Sequence, residues 1–442
     1  MHEETLAEFV SGLEHDDIPS RVRDRATLVV ADTVAAILGG VSDPAVASLV
    51  ADWTLERGGD ATVLGTPERR STPHRAAFLN ATAGTVLELD EGHRYAAGHP
   101  AIHVLPALLA DGERSFRSGA ETTTAFVAGY EAAVRVARAV TPLAEGYHPH
   151  GVWGAVGAAA GLARLREYNA ETTLDAMRIA ANYAQHTRFE AATEGATVRN
   201  GYAGMSNLAS LVAADQTRAG FTGLREGVRR HLERVAGNEI DPEAFSDGLG
   251  DRWELDSGYF KIHAACRYTH PALDAVTELI EADGFDAADV ESVSVETYDA
   301  AASLSATDPE NALQAKFSLP FAVATALVNG RTDKAAFDEN ALTDRTRELA
   351  RRVSVSVAPD IAARVPEKRG ARVRITLASG AEHTREVAAA RGGEHDPFTE
   401  TELREKFDSL VRPVVGERRA DELWTAAREP APPRVICTLA RG

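Results

Sequence analysis

In the first half of this chain almost every apolar stretch recurs at helical spacing, and no convincing alternation of period two interrupts it. Ile18 to Leu38, Pro100 to Asp111, Glu121 to Val140, Val152 to Arg166, Ala170 to Ala184 and Ala203 to Arg218 all repeat their apolar residues every three to four positions. Pro142, Gly146, Pro149, Gly151, Gly195 and Gly201 punctuate these runs, where breakers mark helix ends or tight turns. Small residues crowd into Gly154-Ala-Val-Gly-Ala-Ala-Ala-Gly161, which lets helix backbones approach closely. The segment up to about Gly220 is therefore expected to be all-helical.

Beyond Pro271 the period changes. A helix over Ala272 to Asp283 is followed by Ser292-Val-Ser-Val-Glu-Thr-Tyr298, then Val353-Ser-Val-Ser-Val357 and Ala371-Arg-Val-Arg-Ile-Thr-Leu377, all alternating as strands do. The last of these runs through Ala378-Ser-Gly-Ala381 into His383-Thr-Arg-Glu-Val387, a hairpin signal built on a glycine-containing loop. Helices at Ser318 to Leu327, Thr401 to Val411 and Ala420 to Ala427 are expected to cover one face of this small sheet. The fold class is mainly α with a smaller α+β domain.

Charge narrows the partners. A net charge of −19, with Lys261, Lys316, Lys334, Lys368 and Lys406 as the only lysines, argues against nucleic acid and against an anionic membrane surface. The same excess of carboxylates is what a protein adapted to concentrated salt carries, because salt screens its self-repulsion. Two distant cysteines, Cys266 and Cys437, make no disulfide framework, so a reducing cytoplasm is the default location. The acidic opening Met-His-Glu-Glu lacks the basic front of a signal peptide, and the apolar run Ala26 to Gly40 is broken by Asp32 and too short to span a bilayer.

Three stretches hold half of the 14 histidines: Glu88-Leu-Asp-Glu-Gly-His-Arg-Tyr-Ala-Ala-Gly-His99-Pro-Ala-Ile-His103, then Gly146-Tyr-His148-Pro-His150-Gly, then Lys261-Ile-His263-Ala-Ala-Cys-Arg-Tyr-Thr-His270-Pro. Each reads as a turn feeding a helix, because proline is favoured at the first helical position. A histidine there meets the positive end of the helix, which lowers its pKa and favours the neutral ring. Carboxylates and imidazoles exchange protons while guanidinium groups clamp carboxylates, so the pattern points to proton transfer on a small anionic molecule. The bland alternatives are a solvated acidic loop, surface histidines between helices and a basic linker. A metal site from His99, His103 and Glu88 is the further alternative, but no H-E-x-x-H or cysteine-rich ligand set accompanies it, and no metal is expected. Cys266, between small residues, reads as a packed thiol. No G-x-G-x-x-G, Walker loop or G-x-S-x-G is present to call for a dinucleotide, a nucleoside triphosphate or an acyl-enzyme.

The same segments resemble the MmgE/PrpD family, which includes 2-methylcitrate dehydratase, cis-aconitate decarboxylase and iminodisuccinate epimerase. The resemblance rests on Leu87-Glu-Leu-Asp-Glu with His99-Pro100, Gly146-Tyr-His148-Pro, Gly157-Ala-Ala-Ala, Ala203-Gly with Gly220-Phe-Thr-Gly, Cys266-Arg-Tyr-Thr-His270-Pro-Ala-Leu-Asp274 and Gln314-Ala-Lys-Phe-Ser-Leu-Pro-Phe-Ala322. It implies a large all-helical domain over 1–265, joined by part of the C-terminal segment at about 400–442, and an α+β lid domain over 266–399. It also implies a homodimer that needs no cofactor.

Carried over position by position, the resemblance puts the active-site carboxylate on Glu88 or Asp90 and the catalytic histidines on His99, His148 and His270. The family's lysine near Ala196 to Arg199 is absent, and Arg199 stands ready as the cation there, suited to binding a carboxylate and not to giving up a proton. The tyrosine of some members corresponds to about Phe321. With Arg199, Lys261, Arg267 and Tyr268 as substrate-binding residues, the expected activity is a lyase of the dehydratase type on a small di- or tricarboxylic acid such as 2-methylcitrate. The alternatives are an epimerase or decarboxylase on a related polycarboxylate, or a carboxylate-binding protein without turnover.

Overall fold

The computed structural model of the chain describes residues 2–53, 59–67, 69–185, 187–235 and 239–442. Helices α1 (His2–Gly12), α2 (Ser20–Gly40), α3 (Pro44–Trp53), α4 (Pro73–Thr85), α5 (Pro100–Ser115), α6 (Gly119–Val140), α7 (Pro149–Leu165) and α8 (Ala170–Asn182), with a further helix Tyr202–Arg218, build the first domain. α7 is its axle: every residue except Arg164 is buried, and it packs on α5, α6, α8 and the helix Tyr202–Arg218. Its small residues make that possible, since a side chain on Gly157 would collide with Ala133 of α6 and one on Gly154 with the His103 ring of α5. Proline opens α5 and α7 as the sequence predicts, with His99 and His148 as their N-caps.

The lid domain holds a four-stranded sheet in the order β6-β5-β7-β8, from β5 (Val290–Thr297), β6 (Val353–Val357), β7 (Ala371–Leu377) and β8 (Glu382–Val387). β5 runs parallel to β6 and antiparallel to β7, and the predicted hairpin joins β7 to β8. Val293, Val295, Val373 and Ile375 face inward from the two central strands. The helix His270–Asp283 packs on β7 and β8, and Leu319–Asn329 packs on β6.

Two expectations are corrected. The C-terminal helices do not cover this sheet: Glu400–Val415 and Glu417–Arg428 pack on α2, and Pro433–Leu439 packs on α5. Leu410 finds its place against Gly39 of α2, where any larger residue would displace it. The first half is also not free of strand. Two-residue strands β1 (Ala61–Thr62) and β2 (Arg70–Ser71) pair with each other, and β3 (Gly92–His93) pairs antiparallel with β4 (Gly258–Tyr259). Such short ladders leave no periodicity to read. Among the described residues no single helix is long and apolar enough to cross a membrane.

Candidate active site

The loop between α4 and α5 carries the acidic cluster and is pulled into the core. Glu88, Asp90 and Glu91 are all 1 % exposed or less. Glu88 has a left-handed backbone, φ 55°, as does Ala97, φ 48°, at the far end of the loop. A left-handed residue other than glycine costs on the order of 1–3 kcal/mol and persists only where its surroundings over-determine it. The surroundings here are specific. One Glu88 oxygen is ion-paired with Arg199, and the other lies 3.3 Å from Lys261 Nζ. Lys261 arrives because β4 pairs with β3 three residues before it, laying the 258–261 segment beside the acidic loop. Arg199 arrives from the turn Thr197–Gly201.

Burial pushes the Glu88 carboxyl up, but Arg199, Lys261 and then His99 outweigh it and bring it down to about 2. Glu88 is therefore an anion locked between two cations. Glu91 is the opposite case: burial holds its carboxyl up at about 8, and it accepts hydrogen bonds from Tyr130 Oη at 2.5 Å and from the Ala101 N–H at 3.1 Å. Its place at the first turn of α5 fixes the helix that begins with His99.

Four imidazoles assemble beside Glu88. The His150 ring is the hub, with His148 at 4.4 Å and His99 and His103 each at 4.9 Å between centroids, all edge-on. Burial is the chief force holding His103, His148 and His150 below the ordinary histidine range, with His103 at about 3, and neighbouring cations push the same way. These rings are neutral at physiological pH. Two of them have readable tautomers. His99 Nδ1 lies 3.1 Å from Asp90 Oδ2 and 3.2 Å from the Asp90 carbonyl, both acceptors, so Nδ1 carries a proton and Nε2 is the nitrogen left to exchange one. His148 Nδ1 accepts the His150 backbone N–H at 3.2 Å, so its proton sits on Nε2. One histidine is set to receive a proton and the other to give one.

Around these rings polar atoms remain without protein partners: both nitrogens of His103, Nδ1 of His150, Nε1 of Trp153 and Nε of Arg199. Phe189 stacks on His148 at 5.6 Å, and Phe317 lies 5.3 Å from the Arg199 guanidinium. The ring facing Arg199 is thus Phe317, four residues before the Phe321 named from the resemblance. A cavity of about 910 Å³ is lined by Tyr147, Pro149, Phe189, Arg94, Arg138 and Arg369. Pro149, between His148 and His150 in the chain, is among its lining residues, while the rings of the cluster themselves are buried behind it.

The third histidine stretch forms its own group. His270 Nε2 lies 3.1 Å from the Ala265 carbonyl and its Nδ1 lies 3.3 Å from Arg267 Nη1, so both nitrogens are engaged by protein. Arg267 donates to the Ala390 carbonyl at 2.9 Å and lies over the Tyr259 ring. His263 bridges Asp274, at 3.0 Å, and Thr332. Tyr268 packs on Tyr298 and below Arg369 and reaches the large cavity. The structure therefore brings Glu88, Asp90, His99, His148, Arg199 and Lys261 together, and sets His270, Arg267 and Tyr268 on the lid side of Lys261. His150 and His103 join the first group without having been assigned a role in proton transfer; the spacing of His103 four residues after His99 was the available signal. Burial pushes the Cys266 thiol up to about 12, in keeping with a packed thiol. Among the described residues no three His, Cys, Asp or Glu side chains are gathered to hold a metal ion.

A helical domain capped by a small α+β lid, with a buried carboxylate, guanidinium and imidazole cluster at the seam, defines the class of protein. The chain belongs to the MmgE/PrpD family: residues 4–231 match its N-terminal domain and residues 263–429 its C-terminal domain. It is similar along nearly its whole length to lyases. A cis-aconitate decarboxylase-like protein of Aspergillus oryzae is 27% identical over 95% of this chain and 92% of its own. The cis-aconitate decarboxylases of Aspergillus terreus and of Homo sapiens are 25% and 24% identical, over 95% and 98% of this chain and 91% and 95% of theirs.

Proposed function

We propose that this protein is a lyase that acts on a small di- or tricarboxylic acid by proton transfer between two histidines, with dehydration of a 2-methylcitrate-like hydroxy acid as the first reading. The observation that carries it is the opposite tautomers of His99 and His148 beside an ionised Glu88. His99 Nε2 takes the proton from the carbon next to a substrate carboxylate. The electron pair left behind forms the carbon–carbon double bond as the hydroxyl departs, and His148 Nε2–H protonates that hydroxyl to release water. The Asp90 carbonyl, with its carboxylate 3.1 Å from the same nitrogen, orients His99. Arg199 Nε and the remaining ammonium hydrogens of Lys261 are donors for a substrate carboxylate.

A second reading, decarboxylation of a cis-aconitate-like acid, is favoured by the names of the relatives. The same pair serves it, one histidine protonating the carbon from which carbon dioxide leaves. Incubation with 2-methylcitrate, citrate and cis-aconitate in deuterated water, followed by proton NMR, separates the readings. Loss of the hydroxy acid to an unsaturated one supports dehydration, and a product one carboxylate smaller supports decarboxylation. Deuterium entering without net conversion marks an epimerase. Binding of these acids with neither exchange nor conversion overturns the catalytic reading.

A further inference from the structure

Only five of the chain's 47 basic residues are lysines, and three of the five meet at one turn of backbone. Lys261 takes the Glu88 carboxylate. Lys316, buried at the end of the helix Ala312–Lys316 in the lid domain, donates to the Val86 carbonyl at 2.7 Å. Lys406, buried on the helix Glu400–Val415, donates to the Leu89 carbonyl at 2.6 Å and pairs with Asp32 of α2 at 2.5 Å. The two held carbonyls lie on either side of Glu88, the residue in the left-handed conformation. An ammonium is a compact charge on a flexible stem and can end on a buried backbone carbonyl.

We propose that Lys316 and Lys406 are positioning residues for the Glu88 carboxylate, clamping the 86–89 turn from the smaller domain and from the C-terminal helix. The proposal rests on Glu88 serving the reaction proposed above. Three segments far apart in sequence must be seated before the turn is fully held, and removal of either ammonium frees one side of it. Lys316 also gives the clamp a sensitivity to pH. Burial, with Arg199, brings its ammonium down to about 8, against the support of Glu88, Asp43 and Glu339, so the charge on that contact fades in mildly alkaline solution.

The test is hydrogen–deuterium exchange of the full chain, wild type against Lys316→Met and Lys406→Met, with turnover of whichever acid the NMR experiment shows to be converted. Exchange in peptides over 85–91 is expected to rise by about tenfold while α6 is unchanged. The turnover number is expected to fall by about 100-fold, as misplacement of a catalytic group does, with KM within about threefold. In Lys316→Arg, where the charge is permanent, the alkaline decline of kcat near pH 8 moves upward. Unchanged exchange at 85–91, or a rise shared equally by α6, overturns the clamp, and the exchange measurement decides this even if none of the three acids is converted. Glu88→Gln separates the two ideas: if it keeps full turnover, the catalytic reading of Glu88 fails, whereas if it is inactive and both lysine variants keep wild-type kcat, only the clamp fails.

Discussion

Two histidine groups sit in this molecule a short distance apart, and they differ in what is left over. In the group around His270 and His263 the ring nitrogens are all engaged, by the Ala265 carbonyl, Arg267, Asp274 and Thr332. In the group around His150, nitrogens of His103 and His150, the Trp153 N–H and Arg199 Nε have no protein partner. A buried polar group left unsatisfied costs roughly 1–3 kcal/mol, and a fold keeps several in one place when they serve something other than the fold. The two groups share residue types and starts of helices opened by proline. What separates the two is spare hydrogen-bonding capacity, present around His150 and absent around His270.

The sharpest break of this comparison is a pair of alanine variants. His99→Ala and His148→Ala are each expected to lose about 10²- to 10⁴-fold in turnover with the thermal midpoint near that of the wild type. Turnover that survives in either removes that ring from the mechanism. His270→Ala is expected to do the reverse, losing about 1–3 kcal/mol of stability by stranding Arg267 and the Ala265 carbonyl, with a much smaller change in kcat. A loss of turnover in this variant as large as in His99→Ala, with stability kept, erases the distinction.

Glu88 and Glu91 sharpen it further. The Glu91 pKa is raised in the folded state to about 8, so the stability it contributes is full below the unfolded value near 4.5 and is lost as pH rises through 8. Glu91→Gln keeps an acceptor for the Ala101 N–H and an amide to face Tyr130, and removes the ionisation. Its thermal midpoint is expected to exceed that of the wild type at pH 9 and to match or fall below it at pH 5, measured by calorimetry; a parallel shift at both values refutes the assignment. For Glu88, whose folded pKa is depressed to about 2, the contribution is present above 4.5 and fades only as pH falls through 2, so Glu88→Gln is expected to destabilise at neutral pH. The smallest effect concerns the whole surface: with a net charge of −19, the thermal midpoint is expected to rise by a few degrees between 0.1 and 2 M potassium chloride as self-repulsion is screened. A flat response contradicts the salt-adapted reading.

Much of the architecture was visible in residue spacing. The long Ala-rich helices, the change to period two after Pro271 and the β7–β8 hairpin each follow from a local pattern repeated several times. His99-Pro100 and His148-Pro149 marked two helix starts, because proline's fixed φ and missing N–H suit that position and few others. The site was legible only as pieces. Nothing local marks Gly92-His93 as a strand, yet its ladder with Gly258-Tyr259 is what carries Lys261 to Glu88. Lys316 and Lys406 gave no motif of their own as partners of the 86–89 turn, since a lysine reaching one distant carbonyl leaves no trace in its neighbours. Helical spacing alone set the C-terminal helices on the sheet, whereas the resemblance joined 400–442 to the helical domain: an amphipathic face records that a helix is buried, not against what.

By itself, then, the order of residues settled the long helices and the longer strands, which histidines stand at helix entrances, and the family resemblance that the two domain matches bear out. Those are consequences of backbone geometry and of the 3.6- and 2-residue periods, which act over a few neighbours. Only the tertiary structure decided that His99 faces Asp90 while His148 faces a backbone N–H, that Glu88 lies between Arg199 and Lys261, and that His270 has no nitrogen to spare. Tautomer, ionisation and spare donors depend on burial and on partners tens to hundreds of residues away, and those distances exist only once the chain has closed on itself.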